Sequence, residues 1–350
     1  IDFRAIRAQL NQQGRDLAFV KIGFHVGPGG NRTGLGTWEA CLDAAGVPFF
    51  LKSVDDAGAI VEGLRYRLQS GVPHVLVFRR SGGIYDVPPE YYASPRPSPQ
   101  LVAEAHWQRH RDELLRMFPA EIVLSNGLRI PRETYMRFVW IETINEVNKG
   151  PVTGTEESEW WADFAYYTAI LAMQDGFNWA AFSWSTGEPE SIHWQGPQMR
   201  RFLELAANNP DRIAIALHEY SLCDSSLSNL DLGAGRPCPG APGAYPDLVG
   251  RLRRLYDTTD GWGLPRPIVL ITEFGWGPTE VPSPDAAFDR DGQPGVDNIP
   301  WAAGFYAQYP EVLGAAIWYL GPGYDGIAHQ AQRLIGPLTE YALQEYFVVP

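Results

Sequence analysis

Two glutamates, each closing an apolar run, are the residues of this chain best placed to do chemistry. Residues 137–148 read RFVWIETINEVN: the apolar run 138–144 carries one embedded carboxylate, Glu142, and ends in Asn145 and Glu146. Residues 267–276, PIVLITEFGW, repeat the design and end in Glu273 and Trp276. Such runs are strands buried on both faces, with polar chemistry at the tip. Two opposed carboxyl groups can cleave a β-glycosidic bond, whose oxocarbenium-like transition state needs a proton on the leaving oxygen and electron density at the anomeric carbon. A separation of roughly 5 Å lets one carboxylate attack directly and retain configuration, whereas a wider gap admits water and inverts it. Close approach also tunes the pair, because the ionised nucleophile disfavours charge on its partner until it is esterified.

For the two tips to meet, their strands must belong to one closed parallel barrel, whose strand ends open on a single face. Period and punctuation give eight alternations of short strand and amphipathic helix. Strands are expected over 17–24, 48–53, 74–78, 138–144, 179–183, 213–217, 268–272 and 313–318. The helices between and after them fall at 35–45, 57–69, 100–117, 156–174, 198–207, 246–256, 301–309 and 332–346. Eight such units without a composition break predict an α/β fold, a single (β/α)8 TIM barrel domain over 1–350. Long loops follow strands three, six and seven and would stand together above the site.

Composition narrows the partners. The chain of 350 residues is 45% hydrophobic and 20% charged, ample for a soluble core. Its net charge of −13, with no basic stripe, argues against nucleic acid and against an anionic membrane. No apolar run approaches the roughly 20 residues needed to span a bilayer. An aromatic content of 13%, with 12 Trp, supplies rings on which sugars can stack. Cys223 and Cys238, in a Gly/Pro/Ser-rich loop with little else to hold it, are candidates for a disulfide, which would place the protein in an oxidising, secreted or extracytoplasmic setting. Cys41 lies in a helical pattern as a small buried hydrophobe, and none of the three has metal-ligand spacing.

Four short motifs in order carry a resemblance: INEVN ending strand four, LHEYS ending strand six, ITEFGW ending strand seven and AAIWYLG late in strand eight. Together they resemble the retaining glycoside hydrolases of clan A, the 4/7 superfamily, nearest to its cellulase- and mannanase-like members. Position by position the resemblance implies Glu146 as general acid/base and Glu273 as nucleophile. It also implies Asn145 as hydrogen-bond partner of the sugar 2-hydroxyl, Tyr220 as donor to Glu273, His218 as a bridge between sugar and carboxylates, and Trp318 as the floor beside the cleaved bond. Glu142 would sit one layer below, paired with a basic group. Strand parity agrees for strand six, where His218 and Tyr220 share one side and Glu219 takes the other. Asn145 and Glu146 are adjacent and cannot share a face of a regular strand, so strand four must end or bulge there.

The chain also departs from the family pattern. Strand three ends in FRRSGG where relatives often carry a histidine, and Val147 replaces the usual proline after the glutamate. Arg79 or Arg80 would then partner Glu273 or Glu142, with Arg79 also a substrate-contact candidate. His25 and Lys52, at the ends of strands one and two, are expected to reach the rim, with His25 touching substrate. Trp184 and Trp276 are read as further sugar platforms, with core packing as the alternative. His106 and His110, at i and i+4 on one helix, are read as a solvated face because no third metal ligand is near. Asp289, Asp291 and Asp297 are read as a polar turn, since the calcium-loop glutamate is missing. The sequon at Asn31 lies in the first βα loop, where a glycan would obstruct the site.

The expected activity is therefore retaining hydrolysis of a β-linked glycan, of glucan or mannan type, by a monomer without metal or cofactor. The alternatives are a barrel that binds carbohydrate without cleaving it, and a metal-dependent hydrolase barrel, for which His25 and His218 are the strand-end histidines available.

Overall fold

The computed structural model describes residues 1–147, 155–221, 248–276, 281–288 and 299–350. Among them eight parallel strands close into a barrel: Ile22–Val26, Phe50–Val54, Val75–Arg79, Val139–Glu142, Asn178–Trp184, Ile213–Ser221, Ile268–Trp276 and Val312–Ile317. Numbered one to eight in chain order, they pair in sequence, and strand eight closes the ring by pairing Ala315 with Ile22 and Ile317 with Phe24. The predicted TIM barrel is what forms.

Alternation along the strands sorts the side chains into two layers. Val139, Ile141, Leu76, Phe78, Ile215 and Leu217 point outward into the large core shared with the helices. Their neighbours Phe50, Val77, Trp140, Ala180, Ala214, Ala216, Leu270 and Ala316 point inward and fill the barrel as a separate cluster. Large and small residues alternate there because the interior has room for only a few rings. Gly314 shows the limit: a Cβ at that position would lie 2.2 Å from the Phe50 ring.

The inward files matter most, because each continues upward into a polar side chain. Phe50 leads to Lys52, Val77 to Arg79, Trp140 to Glu142, and Ala216 to His218 and then Tyr220. Strand seven follows the rule only through an irregularity between Ile271 and Glu273, which turns Glu273 inward. The apolar plug is therefore roofed by charged and polar groups at the C-terminal ends of the strands.

Several expectations on the elements need correction. The run 17–24 is two strands, Asp16–Phe19 and Ile22–Val26, and the first pairs antiparallel with Tyr346–Val349 outside the barrel. Lys21, between them, donates to the carbonyl of Tyr309 at 2.8 Å. The last helix divides into Asp325–Gln332 and Ile335–Gln344, and the helix expected at 246–256 spans Leu252–Gly261. A small hairpin, Glu121–Val123 with Arg129–Pro131, was too short for periodicity to reveal. The helix Pro99–Met117 starts as expected, with Pro at its first turn and the Ser98 hydroxyl accepting from the Leu101 amide. No helix among the described residues is long and apolar enough to cross a membrane.

Candidate active site

Four charges form the roof of the barrel plug. Lys52 Nζ donates to Glu142 Oε1 at 3.0 Å and approaches Glu273 Oε1 at 3.5 Å. Arg79 Nη1 donates to the same two oxygens at 2.9 Å and 3.4 Å. Glu142 and Lys52 are fully buried, so the pairing is what makes their burial tolerable. Burial alone would raise the Glu142 pKa; Lys52 and Arg79 more than reverse that and hold it below the ordinary value. Burial and the neighbouring Arg79 lower Lys52, against the pull of the carboxylates. Glu142 thus has the basic partners expected of it, and Arg79 is one of them. Arg80 instead pairs with Asp55. Lys52 does not reach the rim: it shares the inward parity of Phe50, one step above the plug, and that parity was visible in the sequence.

Glu273, the fourth of these charges, gathers further donors from strand six. Tyr220 donates to Oε2 at 2.8 Å, and His218 Nδ1 lies 3.5 Å from the same oxygen. Burial would raise the Glu273 pKa, but His218, Lys52 and Arg79 around it hold it well below the usual carboxylate range. Burial and the charge of Glu273 push the Tyr220 phenol well above its ordinary value, so it remains a donor. Glycine at 275 makes space for this contact, since a Cβ there would come within 3.2 Å of the Tyr220 ring. Glu219 points the other way, as parity requires, and accepts from the Gly250 amide at 2.9 Å and the Tyr306 hydroxyl at 2.7 Å.

Strand four ends at Glu142, and the chain then turns to deliver both of the next polar residues into the site. The Asn145 amide donates to the Asp86 carbonyl and the Glu146 amide to the Ser183 carbonyl, each at 3.0 Å. Glu146 takes a left-handed backbone, φ 44°, unusual for a side chain of its kind. Asn145 Oδ1 accepts from Arg79, and Glu146 Oε1 lies 3.0 Å from His218 Nδ1. Adjacent residues therefore converge on one group of partners because the strand has already ended. One oxygen from each of Glu146 and Glu273 and a ring nitrogen of His218 lie within 4.8 Å of one another.

Trp318 is half-buried, inward by the parity of Gly314 and Ala316, and its ring stands edge-on to Tyr220 at 6.2 Å. His25 is buried 3.9 Å from Glu273 Oε1, with neither ring nitrogen hydrogen-bonded within the protein. Burial, and then the charge of Lys52, push its pKa well below the ordinary value, so it is a neutral imidazole at the floor and not a rim residue. Tyr319, which the sequence reading did not single out, packs against His25 at 5.1 Å and stacks on Trp318 at 5.2 Å.

Two platform assignments fail, Trp276 on parity and burial and Trp184 on burial, a register irregularity between Phe182 and Trp184 having turned it out of the inward file. Trp276 is an odd step from Glu273, so it shares the outward face of Phe274 and is 4% exposed. Trp184 is 1% exposed and stacks on Phe182 at 4.0 Å, under the helix layer. Neither leaves a ring face open to a sugar, and both belong to the core. His106 and His110 are not a solvated face either; both are buried, each bonded to a backbone carbonyl. Cys223 and Cys238 and the acidic turn at 289–297 lie outside the described residues, and Cys41 is a half-buried free thiol.

Among the described residues, the acidic and histidine side chains close enough to hold a cation are this same trio, Glu146, His218 and Glu273. The fit to a divalent ion is poor. Glu273 already faces two basic side chains, Lys52 at 3.5 Å and Arg79 at 3.4 Å, whose positive charge would repel a further cation.

No protein-family model matches the chain. No curated protein sequence matches it either. Among solved structures it is similar to the modular endo-beta-1,4-mannanase of Cellulomonas fimi, a glycoside hydrolase of family 26, at 13% identity, 97% of this chain, 74% of that chain and a TM-score of 0.46. It is also similar to the endo-beta-1,4-mannanase from Thermotoga petrophila, at 13% identity, 92% and 77% coverage and a TM-score of 0.44. An endoglucanase is similar at 14% identity, 92% and 97% coverage and a TM-score of 0.45.

Proposed function

We propose that the chain is a retaining β-glycosidase acting on a β-linked glycan of glucan or mannan type. The observation that carries this reading is the approach of Glu146 and Glu273 to within 4.8 Å across His218, with the donors and cations of the site concentrated on Glu273. An approach this close of the nearest oxygens favours direct attack, for which the carboxyl groups stand roughly 5 Å apart, over the roughly 6.5–9.5 Å of a water-mediated displacement.

In the first step Glu146 gives its proton to the glycosidic oxygen while a Glu273 oxygen bonds to the anomeric carbon. The C–O bond to the leaving sugar breaks with its electron pair on that oxygen. The result is a glycosyl ester on Glu273 and an ionised Glu146. In the second step Glu146 takes a proton from water, whose oxygen attacks the anomeric carbon, and the ester bond returns its electron pair to Glu273. Tyr220, Lys52 and Arg79 keep Glu273 ionised and aligned between turnovers. Asn145 is suited to the sugar 2-hydroxyl, His25 offers an unsatisfied imidazole to another hydroxyl, and Trp318 offers its ring to the sugar face. The chemistry needs no metal or cofactor.

Glu273→Ala and Glu146→Ala should each lose several orders of magnitude of turnover on aryl β-glycosides. Azide should rescue Glu273→Ala by forming a glycosyl azide of inverted configuration. Near-normal turnover in either variant overturns the assignment. Oligosaccharide binding by the wild type with no product after prolonged incubation would establish the carbohydrate-binding alternative instead.

A further inference from the structure

Two histidines that take no part in the chemistry above are tied to the backbone that presents Glu146. His106 and His110 lie one turn apart on the helix Pro99–Met117, buried, with ring centroids 4.4 Å apart. His106 Nε2 lies 2.8 Å from the Thr143 carbonyl oxygen, just past the end of strand four. His110 Nε2 lies 3.1 Å from the carbonyl oxygen of Tyr85, in the loop after strand three. A carbonyl can only accept, so both rings carry their proton on Nε2. The loop reached by His110 is the one whose next residue, Asp86, accepts from the Asn145 amide at 3.0 Å.

These contacts close a circuit. It runs from His106 to Thr143, along the chain to Asn145, across to Asp86, back one residue to Tyr85, and through His110 to the starting helix. The Thr143 side chain is held as well, its hydroxyl accepting from Trp179 Nε1 at 3.1 Å. Glu146 sits one residue beyond the circuit, in its left-handed conformation, with its amide on the Ser183 carbonyl. Strand pairing has ended by this point, so the sheet no longer sets the direction of the carboxyl group. Burial also keeps the anchors constant: desolvation lowers the His106 pKa to about 3 and that of His110 well below its ordinary value. Both stay neutral, single-donor rings through the working range of a glycosidase.

We infer that His106 and His110 are positioning residues for Glu146, fixing from the helix side the backbone turn that aims its carboxyl group at the leaving oxygen. This rests on the reading of Glu146 as the acid.

The test uses leaving groups. A misaimed acid slows cleavage of substrates that need a proton and spares those that do not. The value kcat/KM isolates the bond-breaking step in which Glu146 acts as acid. For His106→Phe, which keeps the ring and removes the donor, kcat/KM should fall about 10- to 100-fold on an alkyl or sugar β-glycoside. It should fall less than about threefold on the dinitrophenyl glycoside, whose leaving group departs unprotonated. His106→Gln, which can place an amide nitrogen near the position of Nε2, should restore most of the loss. If His106→Phe does not fold, His110→Phe carries the same prediction through Tyr85 and Asp86. Equal losses on both substrates, or no loss on either, overturn the inference.

Amide exchange separates this from the parent reading. Peptides covering Asn145 and Glu146 should exchange faster in His106→Phe whatever the chemistry of Glu146, and unchanged protection there refutes the anchoring. Were Glu146→Ala itself indifferent to the leaving group, the acid assignment would fall while the exchange result still decided the anchoring.

Discussion

The Tyr220 hydroxyl donates to Oε2 of Glu273 over 2.8 Å, from a strand whose next inward residue below, His218, lies 3.0 Å from Glu146. One edge of strand six thus touches both carboxylates. A charge-assisted hydrogen bond of this kind contributes about 1.5–3 kcal/mol. Tyr220→Phe should therefore lower kcat/KM about 10- to 100-fold. Because the lost donor had favoured the ionised form, the acidic limb of the kcat/KM profile should move to higher pH. A limb that stays in place would separate Tyr220 from the state of Glu273.

Removing Lys52 leaves Glu142 and Glu273 with Arg79 alone between them. Lys52→Met should cost about 3–5 kcal/mol of stability at neutral pH, read from urea midpoints. The sign of the pH dependence follows from the two carboxylates. Both have folded-state pKa values depressed below the unfolded value of roughly 4.3, so their contribution is complete above that value. It is lost as pH falls through the folded values. The gap between wild type and Lys52→Met should accordingly narrow on acidification below about pH 4. A gap independent of pH would contradict the charge pairing.

Three tryptophans at strand ends should divide into two classes. Trp318→Ala should weaken oligosaccharide binding by about 1–2 kcal/mol in calorimetry and leave the melting temperature nearly unchanged. Trp184→Ala and Trp276→Ala should each cost about 3–5 kcal/mol of stability, because both rings fill the core between barrel and helices. Normal stability in Trp184→Ala together with lost binding would return that ring to the substrate.

Chelation should not affect turnover. With Lys52 and Arg79 already on Glu273, prolonged dialysis against a chelator should leave kcat within error. Loss of activity that a divalent ion restores would contradict the two-carboxylate mechanism.

Parity carried most of the site that could be read from the sequence. His218 and Tyr220 inward with Glu219 outward follow from a period of two, and the turn at Asn145–Glu146 follows from the fact that neighbours cannot share a face. The same rule, applied from Phe50 to Lys52, would have placed that lysine inside. It would also have suggested an outward Trp276, but strands buried on both faces are apolar throughout and hide which side an aromatic takes. Strand seven adds an irregularity before Glu273 that no pattern announces. His106 and His110 carry the polar spacing of an exposed face, yet a carbonyl waits for each of them. The break at Lys21 was missed because apolar residues continue on both sides of it.

The most direct test of the central claim is the configuration of the first product. Proton NMR should be recorded on wild-type enzyme cleaving a β-linked oligosaccharide, early enough that mutarotation has not mixed the anomers. Two carboxylates within 4.8 Å and acting by double displacement predict that the new reducing end appears first as the β-anomer. First appearance of the α-anomer would mean that water, and not Glu273, attacks the sugar.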